Sequence, residues 1–232
     1  MTVTFITAFF PPSGGSYRSM EKYRECFARL ASSGAPVVLY LDPALKGYGT
    51  SLEEHFPNIR VADYLEVDRS FLGEPLYLPR NRNPEKDTVE YFCIQLMKLR
   101  VMAKAAEDPE ITTSHIAWID FGIFHMFKDI SGCKDMLLKI SEKDWPIDAI
   151  LSPGCWPPGQ YDIWNKICWR HCGSFLLGEK SLFPVALANQ DLQVRSNMPG
   201  LTWEINYWTL MSDFSTYIAN HNESILANLL QR

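Results

Sequence analysis

The chain has 232 residues, of which 47% are hydrophobic and 13% aromatic, with a formal net charge of -5. This size and composition fit one globular α/β domain with a substantial core, and the negative balance excludes a general nucleic-acid binder. Six cysteines without a CxxC pair read as reduced thiols, and the apolar Met1 to Phe10 lacks a basic start and meets Pro11 at once, which speaks against a signal peptide. No run reaches membrane-spanning length, so the expected location is the cytoplasm.

Val3 to Phe9 reads as a first buried strand, broken by Pro11-Pro12-Ser13-Gly14-Gly15. From Ser16 to about Ser32 the apolar spacing of Tyr23, Cys26, Phe27 and Leu30 predicts a helix. Pro36 to Asp42 is a second parallel-type strand, which completes a βαβ unit. Residues 43–83 look irregular, with a short strand at Ile59 to Ala62. Pro84 is expected to open a long helix reaching about Glu107, with Tyr91, Ile94, Gln95, Lys98, Val101 and Met102 on one stripe.

Ser114 to Ile123 is an apolar run that ends on one carboxylate, Asp120, followed by Phe121 and Gly122. Such a run suits a strand covered on both faces, and ligands of open α/β sheets gather at the carboxyl ends of strands. Gly122 would let a ligand approach the backbone. Spacing alone leaves a turn cap as an equal reading of Asp120. Beyond it come a helix around Gly132 to Lys143, a strand at Ile147 to Leu151, an irregular aromatic loop from Ser152 to Gly159, and a strand within Cys172 to Gly178. Helices from Glu179 to about Val194 and from Leu201 to Met211 follow, with Tyr217 to Ala219 as a last strand and a short terminal helix.

Five side chains carry a functional and an ordinary reading together. Lys98 is a lysine on a mostly apolar stripe, which its stem could explain by packing while the amine reaches water. Glu204 after Thr202 is either a reactive carboxylate or a first-turn acid favoured by the helix dipole. Trp156, Trp203 and Trp208 suit an aromatic sugar-binding wall or plain core. Cys168, His171 and Cys172 have no second ligand pair that would complete a zinc site.

The strand Thr4 to Phe10, the Trp118-Ile119-Asp120-Phe121-Gly122-Ile123 motif with His125, and Thr202 to Trp208 with the later His221-Asn222 together resemble the nucleotide-sugar glycosyltransferases of the GT-A fold, and more closely the HtrL/YibB-like family of bacteria and large DNA viruses. The resemblance implies a GT-A-like single α/β domain over 1–232 with a mixed, mostly parallel sheet flanked by helices. Its nucleotide-binding half would be about 1–125 and its acceptor-binding half about 126–232. It implies transfer of a sugar from a nucleotide-diphosphate donor, a UDP-sugar above all, to a glycan or glycoconjugate, in the cytoplasm or, for a viral source, the host-cell cytoplasm. Thr7, Ala8 and Phe9 would surround the base, with Phe121 and Gly122 also at the nucleotide sugar. Arg18 and Lys98 would neutralise the diphosphate. Gly122 stands where the usual DxD has its second acid, so either Asp120 and His221 would hold Mn²⁺ or Mg²⁺, with Mn²⁺ favoured by an imidazole beside a carboxylate, or metal dependence would be weak. Glu204 would be the general base, and Trp156, Trp203 and Trp208 the acceptor wall. A catalytically silent nucleotide-sugar or carbohydrate-binding protein is the rival reading.

Overall fold

The computed structural model describes residues 1–12, 18–70 and 76–232. Its core is one seven-stranded sheet in the order β3-β2-β1-β4-β6-β5-β7, built from β1 (Val3–Phe9), β2 (Val37–Leu41), β3 (Ile59–Tyr64), β4 (His115–Ile119), β5 (Ile150–Gly154), β6 (Phe175–Glu179) and β7 (Phe214–Ile218). β1 pairs in parallel with both β2 and β4, β3 with β2, and β7 with β5, while β6 runs antiparallel to β4 and β5. The expected single α/β domain with a mixed, mostly parallel sheet is therefore what the chain forms.

Alternation along the strands divides the core into two layers. Phe5 and Phe9 of β1, with Ala117 and Ile119 of β4, face α1 (Met20–Ala31), α4 (Ile130–Glu142) and α7 (Ser224–Leu230). Ile6 and Ala8, with Ile116 and Trp118, face α3 (Val89–Glu107), α5 (Leu182–Asn197) and the short α6 (Glu204–Trp208). Because the connections leave β1 toward β2 on one side and β4 on the other, the carboxyl ends of β1 and β4 bound a crevice of the kind that binds ligands in open sheets. The antiparallel β6 adds a second feature. Its register of Phe175 opposite Ile119 brings the segment just before it, Cys172 to Ser174, to that same edge.

Several boundaries differ from the sequence reading. Residues 43–55 are not irregular: Asp42 caps a 3-10 turn at Pro43–Leu45 through the Ala44 N–H, and α2 (Lys46–His55) follows. Gly47 and Gly49 lower the helix propensity of that stretch and hid it. α1 is capped by Ser19, and the proposed start near Ser16 lies outside the described residues. α3 begins at the Thr88 cap rather than at Pro84. β5 runs to Gly154, three residues into the supposed loop, because its one recorded pair with β6, Leu151 to Leu177, precedes Pro153 and the missing N–H interrupts no ladder there. Among the described residues no helix is long and apolar enough to cross a membrane, and all six cysteines are free.

Candidate functional site

Asp120 stands one residue beyond β4, and its backbone N–H donates to Ser174 O at 3.0 Å. Being two residues on from Trp118, it faces the α3 and α6 layer. There its carboxylate meets a buried lysine. Lys98 Nζ lies 2.9 Å from Glu204 Oε1 and 3.4 Å from Asp120 Oδ1, and it donates to Gly173 O at 2.8 Å. Trp118 Nε1 also donates to Asp120 Oδ1, at 2.8 Å. Lys98 is 6% and Glu204 4% exposed, whereas the Asp120 side chain is 39% exposed. The cluster is an ammonium held between an inner and an outer carboxylate.

Burial alone would pull the Lys98 pKa down, but Asp120 and Glu204 outweigh it and the pKa ends well above the ordinary lysine value. Lys98 remains an ammonium. Tyr91, two turns earlier on the same face of α3, is driven up by burial and by the charge of Glu204, so its phenol stays neutral. Gly173 makes the arrangement possible: a Cβ there would overlap Glu204 Oε1 and stand 2.8 Å from Lys98 Nζ.

The structure thus gathers three of the sequence candidates, Lys98, Asp120 and Glu204, and corrects what Lys98 was expected to do. Lys98 is neither a snorkelling lysine nor free for a diphosphate, since its donors are spent on Gly173, Glu204 and Asp120. Glu204 is the first-turn acid of α6, as in its ordinary reading, and is ion-paired with Lys98 as well; the Thr202 hydroxyl donates to Ile163 O. Trp118 and Gly173 were not singled out from the sequence. The period-two placement of Trp118 and Asp120 on one face, and a glycine just before a strand, were the signals available.

Other candidates lie in the core. Phe9 and Phe121 stack at 4.6 Å between centroids, and Phe121 stacks on Phe27 at 4.4 Å, so neither ring is open to a base. Gly122 does not offer its Cα to a ligand: the Tyr23 ring fills that space, 3.1 Å from where a Cβ would be. Trp208 is fully buried, stacked on Phe214 at 5.0 Å with its N–H donating to Gln190, and Trp203 is buried edge-on against Phe92. These two tryptophans are packing, not an acceptor wall. Trp156 is half-buried beside Tyr161 on the loop after β5. Thr7 and Ala8 are buried in β1, and the Thr7 hydroxyl has no hydrogen-bond partner among the described residues. Arg18 is half-buried just before the Ser19 cap, close enough to the His125 imidazole for its charge to act there. Burial chiefly lowers the His125 pKa, opposed by its hydrogen bond to Gly122 O.

His221 sits on the loop after β7, at the same edge of the sheet as Asp120 because β5 and β7 run in the direction of β4. Asn222 donates to Met126 O and Glu223 accepts from the Lys128 N–H, which pins this loop to the segment that follows Asp120. Among the described residues no three His, Cys, Asp or Glu side chains gather as a metal site, and this includes Cys168, His171 and Cys172. Among those residues Asp120 Oδ2 carries no hydrogen bond, whereas His221 Nδ1 accepts from the Ser224 N–H, which leaves the proton of the neutral ring on Nε2. Two protein ligands do not make a resident centre.

No family model matches the chain. It is similar to Protein HtrL of Escherichia coli (strain K12), with 24% identity over an alignment of 231 positions that covers 85% of this chain and 80% of that one. A crystal structure of 4-diphosphocytidyl-2C-methyl-D-erythritol synthase from Anaerococcus prevotii covers 99% of this chain and 98% of its own at a TM-score of 0.49 and 7% identity, a likeness of chain path from which nothing about the site follows.

Proposed function

We propose that this chain is a glycosyltransferase of the HtrL/YibB-like kind, moving a sugar from a nucleotide-diphosphate donor, a UDP-sugar, to a hydroxyl of a glycan or glycoconjugate. The observation that carries the reading is the Lys98-bridged pair of carboxylates at the carboxyl edge of β4, where a doubly wound sheet receives its ligand. A groove of about 360 Å³ at the ends of β1 and β2, bordered by Pro11, Asp42 and Ile94, offers room for a nucleoside, with carboxylates suited to ribose hydroxyls.

In this reading Asp120 turns Oδ2 toward the donor, its other oxygen being fixed by Trp118 and Lys98. For an inverting displacement, the acceptor oxygen forms its bond to the anomeric carbon as the bond to the diphosphate breaks, and the hydroxyl proton passes to Glu204 Oε2. Glu204 Oε1 is held by Lys98, which keeps the carboxylate in one orientation. Mn²⁺ or Mg²⁺ bound by the donor phosphates, Asp120 and His221 would offset charge on the leaving diphosphate.

One observation favours the rival reading of a silent nucleotide-sugar-binding protein: Glu204 is nearly sealed from solvent and already ion-paired. UDP-sugar binding and turnover, with and without Mn²⁺, separate the two when measured for the parent, Asp120→Asn and Glu204→Gln. The enzyme binds donor and loses transfer in Glu204→Gln. Donor binding without turnover by the parent over a broad acceptor panel supports the silent binder, and no nucleotide-sugar binding under any metal condition refutes both the enzyme and a nucleotide-sugar binder, leaving only a carbohydrate binder.

A further inference from the structure

A groove of about 520 Å³ opens between the 76–82 segment, Trp164 with Asn165, and Gly200. Its walls are tied together by backbone: Tyr77 N–H donates to Pro199 O at 2.8 Å, Leu201 N–H to Tyr77 O at 2.9 Å and Asn81 N–H to Asn165 O at 3.2 Å. It is a formed groove, so a ligand would not have to order it. The lining includes Arg80 and Arg82 and no acid, in a chain whose net charge is -5.

Like Arg24, Arg170, Arg195 and Arg232, these two arginines have no carboxylate partner among the described residues; what sets them apart is that both line one groove. Arg29, Arg60, Arg69 and Arg100 are each paired with a carboxylate, whereas among the described residues neither Arg80 nor Arg82 has one in reach. Arg80 is exposed; Arg82 makes one long bond, from Nη1 to Pro79 O at 3.4 Å, and its Nε is buried without a partner. Guanidinium groups with unspent donors match the paired oxygens of a phosphate or carboxylate. Beside them stand two aromatic rings. Tyr77 is 66% exposed, and half-buried Trp164 is oriented by its edge contact with Tyr207 at 5.9 Å. Rings of this kind supply amphipathic surface for a sugar face.

The groove is linked to the carboxylate pair through α6. Tyr207, which meets Trp164 and donates to Gly200 O, lies on α6, the helix that Glu204 begins. Gly200 is four residues before Glu204, a chain span of at most about 14 Å, so one oligosaccharide could reach both.

We propose that this groove seats an anionic saccharide, bearing a phosphate or a carboxylate, as the charged end of the acceptor. The inference rests on the glycosyltransferase reading for the word acceptor, and on the groove alone for the anion.

The test is calorimetric titration of the parent, Arg80→Gln, Arg82→Gln and Trp164→Ala with a neutral disaccharide, its 6-phosphate and its 6-carboxylate, each with and without saturating UDP. The expected result is roughly tenfold or tighter binding of a charged form over the neutral one at low ionic strength, from charge-assisted bonds. Both glutamine variants erase that preference, and Trp164→Ala weakens charged and neutral sugars alike. A preference for the phosphate or for the carboxylate names the source of the anion. Equal affinity for all three sugars, absence of binding in every condition, or a preference that survives both glutamine variants overturns the proposal. If the arginine-dependent preference is present while UDP-sugar binding is absent from the parent, the groove stands and the glycosyltransferase reading falls. Donor turnover without the preference has the opposite meaning.

Discussion

Replacing Lys98 by Met keeps the length of the stem and removes the charge, which leaves the Glu204 carboxylate buried without a counter-ion and the Gly173 carbonyl without its donor. Removing one partner of a buried ion pair costs about 3–5 kcal/mol. The second contact, to the exposed Asp120 carboxylate at 3.4 Å, adds at most about 1 kcal/mol because solvent screens it. Against a total stability of about 5–15 kcal/mol, that is a large fraction. Glu204→Gln alone should cost less, since a Gln side-chain oxygen can still accept from Lys98. The double variant Lys98→Met/Glu204→Gln leaves no buried charge at the inner position, so it should be more stable than Lys98→Met alone, with a coupling of about 2–3 kcal/mol. Urea denaturation at pH 7 with an unchanged m-value is the assay. The pH is suitable because the folded Lys98 pKa is raised: its contribution is fully present below the unfolded value near 10.4 and is lost only as pH climbs through the higher folded value. A loss under about 1 kcal/mol in Lys98→Met, or strictly additive losses in the double variant, would refute the claim that Lys98 locks Glu204.

Gly173→Ala should displace the Lys98 and Glu204 head groups, costing about 1–3 kcal/mol in the same denaturation assay and abolishing transfer while the fold persists by circular dichroism. Trp118→Phe removes the donor to Asp120 Oδ1 and should weaken donor binding roughly fivefold to tenfold by calorimetry, with smaller changes once donor is saturating. His171 is buried and hydrogen-bonded to Ser152, and burial pushes its pKa down to about 3. Because the unfolded imidazole takes a proton near pH 6.5 and the folded one does not, stability should fall below that pH, by about 2 kcal/mol at pH 5, down toward pH 3. His171→Asn should flatten this slope in a pH series of urea melts, and an unchanged slope would assign the acid sensitivity elsewhere.

The strands were the legible part of this chain. β1, β2 and β4 are buried on both faces, so their apolar runs are bounded by the first charge or proline, and the structure places them within a residue of where the runs lie. What was hidden depended on partners distant in sequence. α2 carries two glycines and buries little beyond Leu52, leaving no stripe to read. Pro153 looks like a strand breaker until the early parting of β5 from β6 is known. Trp203 and Trp208, chosen for an acceptor wall, and Phe9 and Phe121, chosen for the nucleotide sugar, proved to be core, because an aromatic side chain has the same appearance in either role. Trp208 and Trp156 differ only in what the fold brings to them. Lys98 was the informative anomaly: a charge on an apolar stripe must find a partner or leave the core, and it found Glu204, 106 positions away.

The cost of that solution bears on function. A buried ion pair is a poor way to stabilise a domain, since apolar residues of similar volume do as well or better, and this one also demands a glycine at 173. Packing therefore does not account for it. The arrangement makes two carboxylates unlike each other: Asp120 opens an oxygen to the edge of the sheet, while Glu204 is sealed, oriented and held against an ammonium that stays charged at neutral pH. A site that had only to attract a cation would gain from exposing both. Dividing them into an outer acid that can meet a ligand and an inner acid fixed in place is what the proposed roles of Asp120 at the donor and Glu204 at the acceptor hydroxyl rest on, and that proposal requires an acceptor to reach Glu204 past the cover that leaves it 4% exposed.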